Sequence, residues 1–503
     1  MSTTSLFEAV ECNDLQLITE IVSKGASVLS RDSLDNTPLH LACSIPASPE
    51  IISTLASHYT GSSSSPLVNK LGQSPLLLLL SHADDVQTML HCRQLLSSLS
   101  SSVAGKLVTL TDHDGLTPLH IAAMKTSSQL LAFLSSFTST SSLNITAIDG
   151  QTPLHFAAST SLCCTEFLLS KRLALKTDGN GRSPLHFSAL GSEPSIVSLL
   201  LNHTSNVDSV DDAGNTPLHL ACSSSSSPQI IKLLSSALTK PSAFPLCNSS
   251  GQTPLLLLTL IFGNFDAVDA LISSCNKSLI DQMLSSSCDG LLPLHVAVIN
   301  SDIRVIQRLL SFSSSPPYVL GKDCGQGTAL HVAVSLSHDP SVGVVSSLLS
   351  FGFPSDVTDA DGRVVLHLAA QKGLIDIVNC LINYDCSVNV MDYSGNTPLL
   401  YAISFGCLRC TSLLLSNTSD TSVTNNNGDT CLHVASSKSR AMIELLLPFV
   451  EDLVNTQNNK GMTPLLLASL KSCYDSIELL LENGADPNIA DYSSTFPPPC
   501  SCF

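Results

Sequence analysis

The sequence predicts an all-α solenoid of about 14 helix-turn-helix repeats joined by short β-hairpin tips. Three observations predict it. An opening of the type Thr-Pro-Leu-His recurs 13 times along 503 residues, at steps of 31 to 43 residues with 33 the commonest. Each opening is followed by two short segments with apolar residues at helical spacing. Most openings have Asp or Asn five residues before them and Gly two residues before them. A fixed period of this size marks stacked structural units, so the three or four domains that length alone suggests do not apply.

The openings begin at Thr37, Ser74, Thr117, Thr152, Ser183, Thr216, Thr253, Leu292, Thr328, Val364, Thr397, Thr430 and Thr463. Thr or Ser at the first position is a good N-cap, because its oxygen accepts an orphan backbone N–H. Pro at the second has a pre-set φ and no N–H to leave unpaired. In the unit opening at Val364, the pattern predicts a first helix over Val365 to Gln371, Gly373 at the break, and a second helix over Leu374 to Asn383. Both are shorter than the roughly 12 to 15 residues an isolated helix needs in water, so neighbouring units must stabilise them. Ahead of each opening the Asx side chain folds back on its own backbone and the Gly supplies positive φ, which closes a turn. A lead unit, Leu6 to Ser30, precedes the first opening. Residues 1–492 are expected to form one continuous array, with 493–503 a short Pro/Cys tail.

Composition excludes several function classes. The chain is 44% apolar and 13% charged with mean hydropathy +0.29, enough apolar material for a packed core. A net charge of -18 offers no basic face to nucleic acid or to an acidic membrane surface. The longest apolar runs, Leu76 to Leu80 and Leu255 to Phe262, fall far short of the roughly 18 residues of a membrane span. With no visible export signal, the 18 cysteines read as small buried hydrophobes in a reducing compartment, which places the chain in the cytoplasm, with the nucleus as the alternative.

The units resemble the ankyrin repeat: about 33 residues, Thr-Pro-Leu-His, Gly between two helices, a Leu-rich second helix, then Gly484-Ala485-Asp486-Pro487-Asn488 or its relative Gly25-Ala26-Ser27-Val28. The resemblance covers nearly the whole chain. It implies a curved array that binds a protein on its concave face, acting as a scaffold or adaptor, without catalysis and without a cofactor or metal. It further implies that the motif His bonds to loop backbone. The alternative is the substrate-recognition or regulatory portion of a larger protein or complex, such as a phosphatase regulatory subunit, a ubiquitin ligase receptor or a channel arm. The last full repeat runs to Asp491 with no evident polar capping unit, which keeps truncation open. Leu replaces the motif His at Leu77, Leu256, Leu400 and Leu466, and the openings at Val364 and Thr430 lack Pro, so those two helix starts are expected to be looser.

Nine of the 15 histidines sit in the opening motif and are claimed by structure before chemistry. Cys407-Leu408-Arg409-Cys410 with Cys431 and His433 has the outline of a zinc site, but it falls on a second helix and on the repeat's own opening. Gly321 to Gly327 is a hairpin tip without the ending of a phosphate loop. Serine runs at Ser62–Ser65, Ser97–Ser102, Ser135–Ser142, Ser223–Ser227 and Ser313–Ser315 read as loop inserts, and Ser65-Pro66, Ser227-Pro228 and Ser315-Pro316 as exposed sites open to phosphorylation. Cys500 to Phe503 only partly resembles a prenylation box.

Binding specificity is left to the two tip residues between Asx and Gly, which vary along the array and carry no evident fold duty. Leu34, Leu71, His113, Ile148, Asp212, Asp361, Tyr393 and Lys460 are the candidates for contact with a protein partner. Leu34, Leu71, Ile148 and Tyr393 stand first, since an apolar tip gains by meeting another surface. A monomeric scaffold is expected.

Overall fold

The computed structural model describes residues 5–45, 47–59, 68–82, 85–204, 206–224, 227–238, 246–261, 263–312, 327–335, 341–417, 419–493 and 495–497. These residues form thirty α-helices and no strand; the one β-bridge among them joins Cys288 and Leu291. The chain is an all-α repeat solenoid. It packs as two compact units, one of residues 1–254 with 270–276 and the other of 255–269 with 277–503.

Within the second unit, the repeat opening at Val364 shows how the helices arise. The first helix runs Val365–Lys372 and the second Ile375–Asn383, each within a residue of its expected span. Gly373 ends the first at φ 70°, a left-handed conformation that costs glycine little and lets the chain reverse. Ile377, Val378 and Leu381 on the second helix are at most 2% exposed, one face of an amphipathic helix turned wholly inward. The first helix packs on Pro398–Ser404 of the next repeat and the second on Leu408–Ser416. Fully burying each such side chain contributes about 1.5–3 kcal/mol, which is why helices of eight and nine residues persist here.

The motif histidines join consecutive repeats. In the first unit, His40 Nδ1 accepts the Thr37 backbone N–H at 3.1 Å and lies 2.8 Å from its hydroxyl, while Nε2 lies 3.2 Å from the Gln73 carbonyl in the next tip. The same bridge runs from His120 to Gln151, His155 to Arg182 and His186 to Asn215, and in the second unit from His331 to Arg363, His367 to Asn396 and His433 to Met462. His155 meets Phe187 of the following repeat edge-on, and His367 meets Tyr401 in the same way. Where Leu stands instead, at Leu400 and Leu466, the Thr397 and Thr463 hydroxyls alone accept the helix N–H.

The opening at Val364 has no hydroxyl and no Pro, yet its backbone (φ -82°, ψ 164°) matches that of Thr37 (φ -87°, ψ 165°). His367 holds it by accepting the Val364 N–H at 3.0 Å.

Two serine-run expectations are corrected. Ser97–Ser102 is not a loop insert: it ends helix Asp85–Ser97 and starts an additional helix, Ser101–Thr109, whose Val103, Ala104, Leu107 and Val108 are buried. Burial of that apolar face outweighs the weak helix preference of serine. Ser227 is not a free loop hydroxyl either, since it N-caps helix Pro228–Ser236 and accepts the Gln229 N–H. Ser62–Ser65, Ser313–Ser315, Ser65-Pro66, Ser315-Pro316, Gly321–Gln326 and Cys500–Phe503 lie outside the described residues.

Candidate partner-binding surface

Most tips are turns closed by an Asx side chain, the Ile148 tip having Ala147 in that place. Asp32 Oδ1 accepts the N–H groups of Leu34 and Asn36, both at 2.8 Å, and Asp392 Oδ1 accepts those of Ser394 and Asn396 at 2.9 and 2.7 Å. Asp359 does the same and is clasped by Arg363. Burial pushes the Asp359 carboxyl up, but hydrogen bonds from the Arg363 and Asp361 N–H groups and the Arg363 side chain outweigh it and hold the group below the ordinary carboxylate range.

Neighbouring tips are linked by single backbone bonds rather than by paired strands. In the first unit these run from Lys70 N–H to the Leu34 carbonyl, from Ile148 to Asp114 and from Asp212 to Asn180, each at 3.0 Å. In the second unit they run from Tyr393 to Asp361, Asn426 to Ser394, Asn459 to Asn427 and Tyr492 to Lys460, at 2.9 to 3.2 Å. The tips of each unit therefore form a row with fixed spacing.

All eight candidates are exposed on these rows: Leu34, Leu71, His113, Ile148 and Asp212 in the first unit, Asp361, Tyr393 and Lys460 in the second. Leu34 and Leu71 are 53% and 55% exposed, Ile148 73% and Tyr393 72%, high values for side chains that lose free energy in water. The idea that both tip residues lack a fold duty needs correction. The residue directly after the Asx reaches back over the preceding tip: the His113 ring lies 3.0 Å from the Lys70 carbonyl, and Lys70 Nζ donates to the Ser33 carbonyl. The Tyr393 ring lies over Gly362. Asp361 is also engaged, pairing with Arg363 at 2.8 Å.

Sequence reasoning passed over Asn426 and Tyr492 in the second row, and chose Lys460 rather than Asn459 as the contact candidate in its tip. Tyr393, Asn426, Asn459 and Tyr492 stand 33 residues apart at one position of successive tips, and Tyr492 is 74% exposed. Asn426 donates its amide N–H to the Tyr393 carbonyl and Asn459 to the Asn426 carbonyl, both at 2.9 Å. Two exposed phenols thus bracket two amides held rigidly in line. Stepping by 33 from Tyr393 would have found them. A concavity of about 650 Å³ lies on the second helices of this unit between Ile375, Asp376, Leu408, Arg409, Leu413 and Leu445.

The Gly362 turn tests the geometry. Its φ is +79°, and a Cβ there would stand 2.6 to 2.8 Å from the Tyr393 ring. Gly362→Ala is expected to cost about 1–2 kcal/mol for the left-handed backbone and to displace the ring. Urea unfolding reads the loss, and an unchanged midpoint would contradict the turn geometry.

Cys431 Sγ faces the Thr421 carbonyl at 3.5 Å and His433 is committed to the Thr430 and Met462 backbone, which leaves neither directed at the Cys407–Cys410 pair. Among the described residues no group of His, Cys, Asp or Glu is spaced to hold a metal ion, and no helix is long and apolar enough to cross a membrane.

Repeated helix pairs stacked through capped openings and linked tips define a class of protein built to present an extended surface rather than a pocket. The sequence profile described as ankyrin repeats (3 copies) matches residues 92–175, 160–244, 330–425 and 410–491, and the chain belongs to the ankyrin-repeat family. It is 28% identical over 229 residues to the mouse (Mus musculus) B-cell lymphoma 3 protein homolog, a match covering 43% of this chain and 47% of that protein. It is 30% identical over 204 residues to the probable 26S proteasome regulatory subunit p28 of Saccharomyces cerevisiae (39% and 83%). It is 28% identical over 235 residues to the E3 ubiquitin-protein ligase KEG of Arabidopsis thaliana (40% and 14%). The chain therefore spans about half of the first relative and a small part of the last.

Proposed function

We propose that this chain is a non-catalytic protein-binding scaffold or adaptor that engages a protein partner through its two rows of tips. The observation that carries the reading is the exposure of Leu34, Leu71 and Ile148 on one row and of Tyr393 and Tyr492 on the other, each row linked from tip to tip by hydrogen bonds. Large apolar and aromatic side chains on a rigid base lose little entropy when covered, which suits them to anchor a partner. Seven motif histidines have both ring nitrogens engaged in capping and bridging, which leaves them poorly placed for acid–base chemistry. A second reading, the recognition or regulatory part of a larger assembly, is favoured by the matches that cover only 14% to 47% of two of the relatives.

Affinity capture from a cell extract tests the proposal with two variants, Leu34→Ala with Ile148→Ala and Tyr393→Ala with Tyr492→Ala. All four side chains are exposed and none lies in a helix, so helicity should hold. At least one variant should lose a partner more than tenfold, as expected when an anchor worth about 1.4 kcal/mol or more is removed. Equal recovery of every partner by both variants would end the tip proposal. A captured ubiquitin ligase or phosphatase catalytic chain would move the reading to the second form.

A further inference from the structure

Cys407 and Cys410 are placed unlike any other cysteines in the described chain. Cys407 is the N-cap of helix Leu408–Ser416, and its Sγ accepts the Cys410 backbone N–H at 3.4 Å. An N-cap side chain lies against the backbone N–H of the third helical residue, as the oxygen caps of other repeats show: Asp14, Ser127 and Ser161 accept the N–H of Leu17, Leu130 and Cys164. Here both positions carry a thiol, and Cys407 Sγ lies 3.4 Å from the Cys410 backbone nitrogen. A sulfur is a poor cap acceptor beside Asp or Ser, so the helix start gains little stability from Cys407. Gly373 of the preceding repeat leaves the sulfur room, since a Cβ there would stand 3.3 Å from it. Cys407 is half-buried and reachable from solvent, whereas Cys410 is buried.

We propose that Cys407 and Cys410 are a dithiol redox site that closes to an intrachain disulfide when a peroxide reacts with it. The Cys407 sulfur attacks one peroxide oxygen, the O–O bond breaks, and the thiol proton leaves with the departing oxygen as water, giving a sulfenic acid at Cys407. The Cys410 sulfur then attacks the Cys407 sulfur, the S–O bond breaks, and the hydroxyl departs as water with the Cys410 proton. One hydrogen peroxide takes two electrons from the two sulfurs and yields one disulfide and two waters. Burial, together with the neighbouring Cys407 thiol, pushes the Cys410 thiol up to about 12, with Arg409 beside it opposing that rise, so the more open Cys407 is the sulfur that meets peroxide first. Leu408 and Arg409, between the two sulfurs, line the 650 Å³ concavity, so oxidation tightens one wall of that surface.

The chain supplies its own controls. Cys473 occupies the same N-cap position two repeats later with Ser476 as the third helical residue, and Cys164 is the third helical residue after the Ser161 cap, so each has half of the pair. Trypsin cuts after Arg409, between the two sulfurs, so a Cys407–Cys410 disulfide joins peptide 373–409 to peptide 410–438. The full chain is treated with limiting hydrogen peroxide, its remaining thiols are blocked with N-ethylmaleimide, and the digest is read by mass spectrometry with and without dithiothreitol. The expected result is a linked pair lighter by two hydrogens, released by dithiothreitol, kept in Cys431→Ser and reduced more than tenfold in Cys407→Ser. In Cys410→Ser, Cys407 should instead advance to sulfinic acid, the outcome also expected of Cys473 in the native chain. Recovery of Cys407 as sulfinic acid in the native chain, or linked to Cys380 or Cys386, overturns the proposal, as does retention of the link in Cys407→Ser.

Discussion

Lowering the pH from 7 to 4 is expected to unfold the first unit, through the histidines of the opening motif. Burial lowers His40, His120 and His219 to about 4, and lowers His155 and His186 as well. In the unfolded chain these groups titrate near 6.5. Between pH 6.5 and 4 the unfolded state therefore takes up protons that the folded state refuses, and stability falls as pH falls through that window, levelling off below the folded values. Each such group contributes a slope of about 1.4 kcal/mol per pH unit. Three of them together reach about 4 kcal/mol per pH unit, a large part of the roughly 5–15 kcal/mol that holds a domain folded. Circular dichroism against pH, with urea midpoints at pH 7 and pH 5, checks this. Equal midpoints at the two values would show that the buried imidazoles do not resist protonation.

His367→Ala should be among the most damaging single changes in the second unit. Its Nδ1 is the acceptor for the Val364 N–H and its Nε2 the partner of the Asn396 carbonyl at 3.0 Å, and Val364 brings no hydroxyl to share the task. The side chain is fully buried. Removing it strands two buried backbone groups, at about 1–3 kcal/mol each, and leaves a cavity against Tyr401. The expected loss is about 3–5 kcal/mol by urea unfolding. His367→Leu restores volume but not the two bonds, so it should recover part of the loss. Stability within 1 kcal/mol of the native chain for the Ala variant, roughly the effect of a surface change, would refute the bridge between repeats.

Much of this was legible in the sequence because the repeat is written in short-range interactions. Thr37 and His40, Asp32 and Asn36, and Gly373 at the helix break lie within a few residues of the groups they cap or turn, so residue type and spacing are enough to read them. The 33-residue step likewise predicts the exposed position of Leu34 and Tyr393. What escaped was contact between repeats. Nothing local says that the His113 ring rests on the Lys70 carbonyl or that Asn426 and Asn459 complete a row with Tyr393 and Tyr492, because those contacts span 33 to 43 residues. The helix Ser101–Thr109 was missed for the opposite reason: its local preference is weak, and packing of Val103, Leu107 and Val108 overrides it.

By itself the sequence determined the class of fold, the length of the repeat, the capping of its helices and the commitment of most histidines to structure, since each follows from side chains meeting their own backbone. Tertiary structure decided which tip side chains remain free, since a residue beside the Asx is claimed or released by the tip before it. It also decided how far each thiol of the Cys407–Cys410 pair is covered, leaving Cys407 half-open beside Gly373 of the preceding repeat while Cys410 is buried. Stacking sets both outcomes, because only when neighbouring repeats are in place does a side chain have something to lean on or an open side to present.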